Sequence, residues 1–240
     1  MSLRMCIIAV AFERKLTYEE IKTCFANNPD GAGIAWCREG KNFLRKGFMD
    51  VEEFIDFYRQ VDALPHVVHF RKATSGGVSP ELTHPFVVDL HAPLDTTWSG
   101  RKPVVFHNGV IRGWEELFLR LIPDIVRELR RCRKGSHLPP GPWSDTRAAA
   151  VMAAYAGEEI FSFLGGKFAV LDRGRVRTYG EFVRESGVLF SKTSYKNVRR
   201  HIKEEYLYSW VPKRASGGMA PERDVLGDDS VDKWRVRWLK

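Results

Sequence analysis

Cys6 stands directly before Ile7-Ile8-Ala9-Val10, a short apolar run that reads as a buried strand, so the chain opens its fold with a thiol at the start of a core element. One reading makes Cys6 a small apolar residue that only fills the strand. The other starts from Met5: if it is the initiator and is removed, Cys6 carries a free α-amine. A cysteine thiol titrates at about 8.5 and an α-amino group at about 7.7 to 8.0, so near neutral pH the amine can take the thiol proton. Such a residue is a nucleophile with its own base.

Polar groups that could serve this nucleophile sit in three distant segments. His69-Phe70-Arg71-Lys72-Ala73-Thr74-Ser75-Gly76-Gly77 follows the apolar entry Val67-Val68. In Val104-Val105-Phe106-His107-Asn108-Gly109-Val110-Ile111 a polar His-Asn-Gly interrupts an apolar strand run. Trp143-Ser144-Asp145-Thr146 precedes a helical pattern from Arg147 to Tyr155. Each piece alone is ordinary, since Asn-Gly is a common turn signal and an arginine near a glycine pair is usually a solvated loop charge.

Together with Asn28-Pro29-Asp30-Gly31-Ala32-Gly33-Ile34-Ala35-Trp36, the ordered set resembles the class II glutamine amidotransferases, amino-terminal cysteine hydrolases that take ammonia from glutamine. The resemblance runs from about Cys6 to Tyr195 and includes Leu164 to Asp172 and Gly187 to Ser194 as late strands. It implies an α+β fold, the stacked four-layer αββα sandwich of amino-terminal nucleophile hydrolases. Periodicity alone supports only a mixed α and β domain.

By that resemblance Cys6 is the nucleophile, and the Asn108 side-chain amide and Gly109 N–H hold the oxyanion. Arg71 binds the glutamine α-carboxylate, which a guanidinium matches bidentately where the Lys72 ammonium cannot. Thr74 lies beside the same carboxylate, and Asp145 pairs with the α-ammonium. Two differences from the family pattern stand out. Ser75 occupies a position where many members have histidine, and Met1-Ser2-Leu3-Arg4 precedes Met5, leaving Cys6 internal. The α-amine can act as base only if this leader is removed. Two alternatives stay open: an amidase of the same fold acting on another γ-glutamyl or amide substrate, and a non-catalytic binding module.

Other chemistries find less support. Cys24, Cys37 and Cys132 show no Cys-x-x-Cys or Cys/His ligand spacing, so no metal site is expected, and no cofactor is implied. His66 and His69 are three apart on a strand and point to opposite faces. His107 is better placed to shape the oxyanion loop than to act as a base. There is no Gly-x-Ser-x-Gly elbow for a serine nucleophile.

With 240 residues and 44% apolar composition the chain can bury a full core, and the absence of an 18-residue apolar run argues against a membrane span. Four scattered cysteines suit a reducing cytoplasm. The net charge of +8 comes largely from Arg127 to Lys134 and Tyr195 to Lys203, which read as solvated faces, so nucleic acid is not an expected partner. The expected organisation is a glutaminase domain over 6–205 and a tail over 206–240 that packs on the domain or on a partner. No room remains for a synthase domain, so a separate synthase or ligase subunit would supply any acceptor.

Locally, Thr17 and Glu20 read as the capping box of a helix to Ala26. Gly33–Trp36 and Asn42–Lys46 read as strands turning at Glu39-Gly40, Val51–Val61 as a helix and His66–Ala73 as a strand. Residues 75–102, rich in proline, read as a long loop that covers the glutamine pocket as a lid. Glu115–Arg131 and Asp145–Gly157 read as helices, and Phe168–Leu171 with Arg175–Tyr179 as a hairpin.

Overall fold

The computed structural model describes residues 5–73 and 77–193. Thr74 and the whole 206–240 tail lie outside the described residues. In chain order the elements are β1 (Ile7–Ala11), α1 (Tyr18–Asn27), β2 (Ala32–Arg38), β3 (Lys41–Phe48), α2 (Val51–Arg59), β4 (His66–Phe70), β5 (Phe86–Val87), β6 (Thr97–Gly100), β7 (Val104–Asn108), α3 (Trp114–Arg131), α4 (Asp145–Ala156), β8 (Lys167–Asp172), β9 (Arg175–Tyr179), β10 (Val183–Glu185) and β11 (Val188–Phe190). This is a mixed α+β fold with antiparallel sheets.

Among the described residues one sheet has the order β10-β11-β1-β4-β2-β3-β6 and the other β5-β7-β8-β9. Strand β1 is central in the first, paired along Ile7–Ala11 with β4 and along Ala9–Ala11 with β11. Its residues alternate between two apolar clusters, as a period of two requires. Ile7, Ala9 and Ala11 join Ile21, Phe25, Phe54 and Tyr58 of α1 and α2, whereas Ile8 and Val10 meet Val104, Phe106, Ala169 and Leu171 of the second sheet. A third cluster covers the far side of that sheet, where Val105, Phe168 and Val170 pack on Ile125 and Leu129 of α3 and the small residues Ala148 to Ala150 of α4. The buried apolar residues thus form three clusters, on the two faces of the first sheet and on the far face of the second.

Local chemistry explains the boundaries. The Thr17 hydroxyl accepts from the Glu20 N–H at 3.2 Å while the Glu20 carboxylate accepts from the Thr17 N–H at 2.8 Å, the reciprocal cap expected at the start of α1. Glu39 and Gly40 both take positive φ between β2 and β3, as a tight hairpin turn needs. Ser144 caps α4, its hydroxyl accepting from the Arg147 N–H at 3.2 Å. Arg147, almost fully buried, donates to the carbonyls of Ala92, Pro140 and Pro142 and lies over the Trp143 ring, tying the proline-rich 135–142 segment to the start of α4.

Within residues 77–102 regular elements replace the expected loop. A 3-10 turn at Pro80–Leu82 is followed by β5, which pairs with β7, and β6, which pairs with β3. The strand read over His66–Ala73 stops at Phe70, and Arg71 to Ala73 leave the sheet before any glycine is reached.

Titratable side chains are buried in this core. His69 and His107 touch across the two sheets, the His69 Nε2 lying 3.1 Å from the His107 carbonyl oxygen, and the His84 ring lies 4.0 Å from that of His69. Burial holds His66 and His107 down to about 4 and His69 to about 3, and pushes His84 well below its ordinary value. Lys46, 2% exposed, lies 4.0 Å from the centre of the Phe86 ring with no hydrogen-bond partner for Nζ, and burial lowers it to about 7.

The histidines set an acid limit. Their folded values lie below the unfolded value of about 6.5, so between the two the unfolded chain binds more protons. Stability is full above about pH 6.5 and falls as pH drops towards 4. Melting curves from pH 7 to 4 should show this decline, and a flat profile would contradict it. Lys46 acts with the same sign in a higher window: its folded value of about 7 lies below the ordinary lysine value, so burying the ammonium costs stability as pH falls from about 10.4 and most at and below pH 7. Lys46→Met should raise unfolding free energy at pH 7 by about 1–3 kcal/mol, the cost of an unsatisfied buried group. The gain should shrink towards pH 10, and a variant less stable than the parent at pH 7 would show that the ammonium holds a net favourable contact.

Candidate active site

Five of the six residues singled out in the sequence fall within the described residues, and four of them line one cleft: Cys6, Arg71, Gly109 and Asp145. The empty space between them, open solvent included, is about 340 Å³. Each side chain arrives from a different element: Cys6 precedes β1, Arg71 follows β4, Gly109 follows β7 and Asp145 begins α4.

The half-buried Cys6 hydrogen-bonds the main chain of Lys72, its Sγ accepting from the N–H at 3.3 Å and the thiol approaching the carbonyl oxygen at 3.4 Å. Burial pushes the thiol up, against the Lys72 N–H and the positive charges of Arg71 and Lys192, which pull it down. The net shift is upward, so the sulfur is a protonated thiol at neutral pH and needs a base to become a nucleophile. In the described chain the Cys6 nitrogen is bonded to Met5 and cannot serve. The Lys192 ammonium donates to the Met5 carbonyl oxygen beside it.

Arg71 is 4% exposed. Its Nη2 donates to the Gly77 carbonyl at 2.7 Å, while Nη1 is buried without a partner among the described residues. The backbone beneath it is fixed on both sides, Arg71 N–H donating to the Gly31 carbonyl at 2.7 Å and the Asp30 N–H to the Arg71 carbonyl at 3.1 Å. Asp30 also accepts from the Ala73 N–H at 2.8 Å and pairs with Lys72 at 3.3 Å. That pairing turns the neighbouring cation to Asp30 and leaves Arg71 as the guanidinium of the cleft.

Asp145 is held at the start of α4, where the helix dipole favours a carboxylate. One oxygen accepts from the Thr146 N–H at 2.7 Å and its hydroxyl at 3.2 Å, the other from the Ile111 N–H at 3.2 Å. Because the Thr146 hydroxyl donates to Asp145, it accepts from His107 Nδ1–H at 3.1 Å. His107 is thus a neutral tautomer that braces this corner, its ring stacked on Phe168 at 4.5 Å.

Asn108 and Gly109 follow directly. Gly109 has φ of 153°, and a Cβ there would stand 2.9 Å from Gly166 Cα and 3.1 Å from His107 Nε2, so no other residue fits without moving the strand end. Asn108, 2% exposed, lies between the cleft-lining residues His107 and Gly109, and its Nδ2 meets the Ser191 Oγ at 2.8 Å. Leu82 and His84 also line the cleft, from within residues 75–102. They enter because Gly33 lets the His84 carbonyl approach; a Cβ on Gly33 would lie 2.0 Å from that oxygen. Ser191 and Lys192 were not singled out from sequence, and only the pairing of β11 with β1 brings them here. Among the described residues no group of three His, Cys, Asp or Glu side chains is gathered to hold a metal ion.

No family model matches the chain. Over 96 residues, 39% of its length, it is 35% identical to a glutamine--fructose-6-phosphate aminotransferase [isomerizing] of Pyrococcus horikoshii. The matched stretch is 14% of that protein, so the chain is similar to a small part of a much longer enzyme.

Proposed function

We propose that this chain is a glutaminase domain of the class II glutamine amidotransferase kind, which hydrolyses the side-chain amide of L-glutamine through a Cys6 thioester. The observation that carries the reading is the buried, unpartnered Nη1 of Arg71 in the same cleft as Cys6 and Asp145. A guanidinium donor left open beside a thiol and a carboxylate suits a small zwitterion that also bears a reactive carbonyl. The partial similarity to a glutamine-using aminotransferase supports the same direction. Apolar clusters on both faces of the first sheet and on the far face of the second are consistent with the αββα sandwich of amino-terminal nucleophile hydrolases.

In this reading removal of residues 1–5 frees the Cys6 α-amine. Glutamine binds with its α-carboxylate on Arg71, flanked by Thr74, and its α-ammonium on Asp145. The α-amine takes the thiol proton as sulfur adds to the amide carbon, and the oxyanion is held by the Asn108 amide and Gly109 N–H. The α-ammonium then protonates the departing nitrogen, the C–N bond breaks and ammonia leaves a glutamyl thioester. Water, deprotonated by the same amine, attacks the thioester; the C–S bond breaks and the thiol is restored with glutamate. Any acceptor of the ammonia would be bound by a synthase or ligase unit.

Protein shown by intact mass to begin at Cys6 should release glutamate and ammonia from L-glutamine, and Cys6→Ala should abolish release. Asn108→Ala should lower kcat by about 100- to 1,000-fold, the usual cost of one oxyanion donor. Arg71→Lys should act mainly on KM, raising it roughly tenfold or more as the bidentate fit is lost. No release from protein that begins at Cys6 would overturn the proposal.

A further inference from the structure

Two buried polar groups near Asn108 are mismatched. The Ser191 Oγ meets the Ile8 N–H at 2.9 Å and the Asn108 Nδ2 at 2.8 Å, so with the amide in this orientation it accepts from two N–H donors. Its own proton finds no acceptor among the described residues. A few bonds away Asn108 Oδ1 is buried with no partner among the described residues. Ser191 is fully buried and Asn108 2% exposed, so each lapse carries the cost of a desolvated polar group.

One change gives the Ser191 proton and Asn108 Oδ1 a partner and leaves the amide nitrogen as the group without one. The oxygen and nitrogen of an asparagine amide have nearly the same shape, and their assignment follows from the hydrogen-bond network. With the Asn108 amide turned by half a rotation, Oδ1 takes the place beside Ser191 and accepts the hydroxyl proton. Ser191 Oγ keeps the Ile8 N–H as its single donor, and Nδ2 moves to the position where Oδ1 stood.

We infer that Ser191 is a positioning residue for the oxyanion site: its hydroxyl, fixed by the Ile8 N–H, donates to Asn108 Oδ1 and so leaves the Asn108 Nδ2–H₂ group free to donate to substrate. The use of that donor rests on the glutaminase reading; the orientation itself does not. Ser191 is well built for this task. Its N–H donates to the Ile8 carbonyl at 2.9 Å, and its carbonyl accepts from Lys167 Nζ at 2.7 Å. The hydroxyl is thus carried on a backbone held from both β1 and β8. The same strand β1 that follows Cys6 also sets the direction of the oxyanion donor.

A neutron structure of the deuterated protein, begun at Cys6, reads the orientation directly. We expect oxygen of Asn108 against a deuterated Ser191 hydroxyl; an ND₂ group against Ser191 overturns the inference. This readout needs no activity and no substitution, so it holds even where a variant fails to fold or glutamine proves not to be the substrate. Kinetics then test the consequence. Ser191→Ala should lower kcat for glutamine about tenfold or more with KM within about twofold, and should cost less than about twofold when added to Asn108→Ala, since the two act as one unit. Full multiplication of the two losses would overturn the positioning role. Oxygen against Ser191 in a protein that does not hydrolyse glutamine would keep the orientation and reject the glutaminase reading instead.

Discussion

The burial of β1 on both faces is the constraint on which the rest of the molecule depends. A strand between β4 and β11, with Ile7, Ala9 and Ala11 against helices and Ile8 and Val10 against the second sheet, has no freedom to slip by one residue, since a slip would exchange the two faces. Cys6 inherits that rigidity. It stands just before β1 begins, at the cleft and beside the Lys72 main chain that leaves β4. The register of β1 with β4 also sets the distance from the thiol to Arg71, and its register with β11 brings in Ser191 and Lys192.

Burial gives the cleft its chemical character. Desolvation raises the thiol and lowers the buried histidines, so the neutral forms prevail and His107 braces Asp145 as a hydrogen-bonding tautomer. Arg71 keeps its charge in the same environment with one donor unspent. A low local dielectric strengthens whatever a small zwitterion offers to that donor and to the Asp145 carboxylate. The thiol, by contrast, is not activated by its surroundings, so the proposed chemistry depends on the state of the Cys6 nitrogen.

Much of this was legible where local rules and burial agree. Thr17 and Glu20 announce a cap, Glu39-Gly40 a hairpin turn, and unbroken runs such as Val104-Val105-Phe106 buried strands, and each forms where the residues say. The short strands β5, β6 and β10 were not legible, because two to four residues of mixed polarity become strands only through partners elsewhere in the chain. Lys46 defeats the pattern altogether: in β3 the polar Asn42 and Lys46 point into the core, while Phe43 stacks on the half-buried Trp36. In the site, the ordered motifs identified Cys6, Arg71, Gly109 and Asp145 as neighbours in one cleft. Leu82, His84, Ser191 and Lys192 carry no local signal and arrive through sheet pairing and the close approach at Gly33.

The central claim is that Cys6, once its amine is free, attacks the side-chain carbonyl of a glutamine seated on Arg71 and Asp145. Its most direct test is covalent capture: protein begun at Cys6 is treated with a glutamine analogue carrying an electrophile at the γ-carbonyl, and the adduct is mapped by peptide mass spectrometry. The account predicts one adduct per chain, on Cys6, suppressed by excess L-glutamine and by loss of the analogue's α-carboxylate. An adduct elsewhere, or one on Cys6 indifferent to glutamine and to the α-carboxylate, would contradict it.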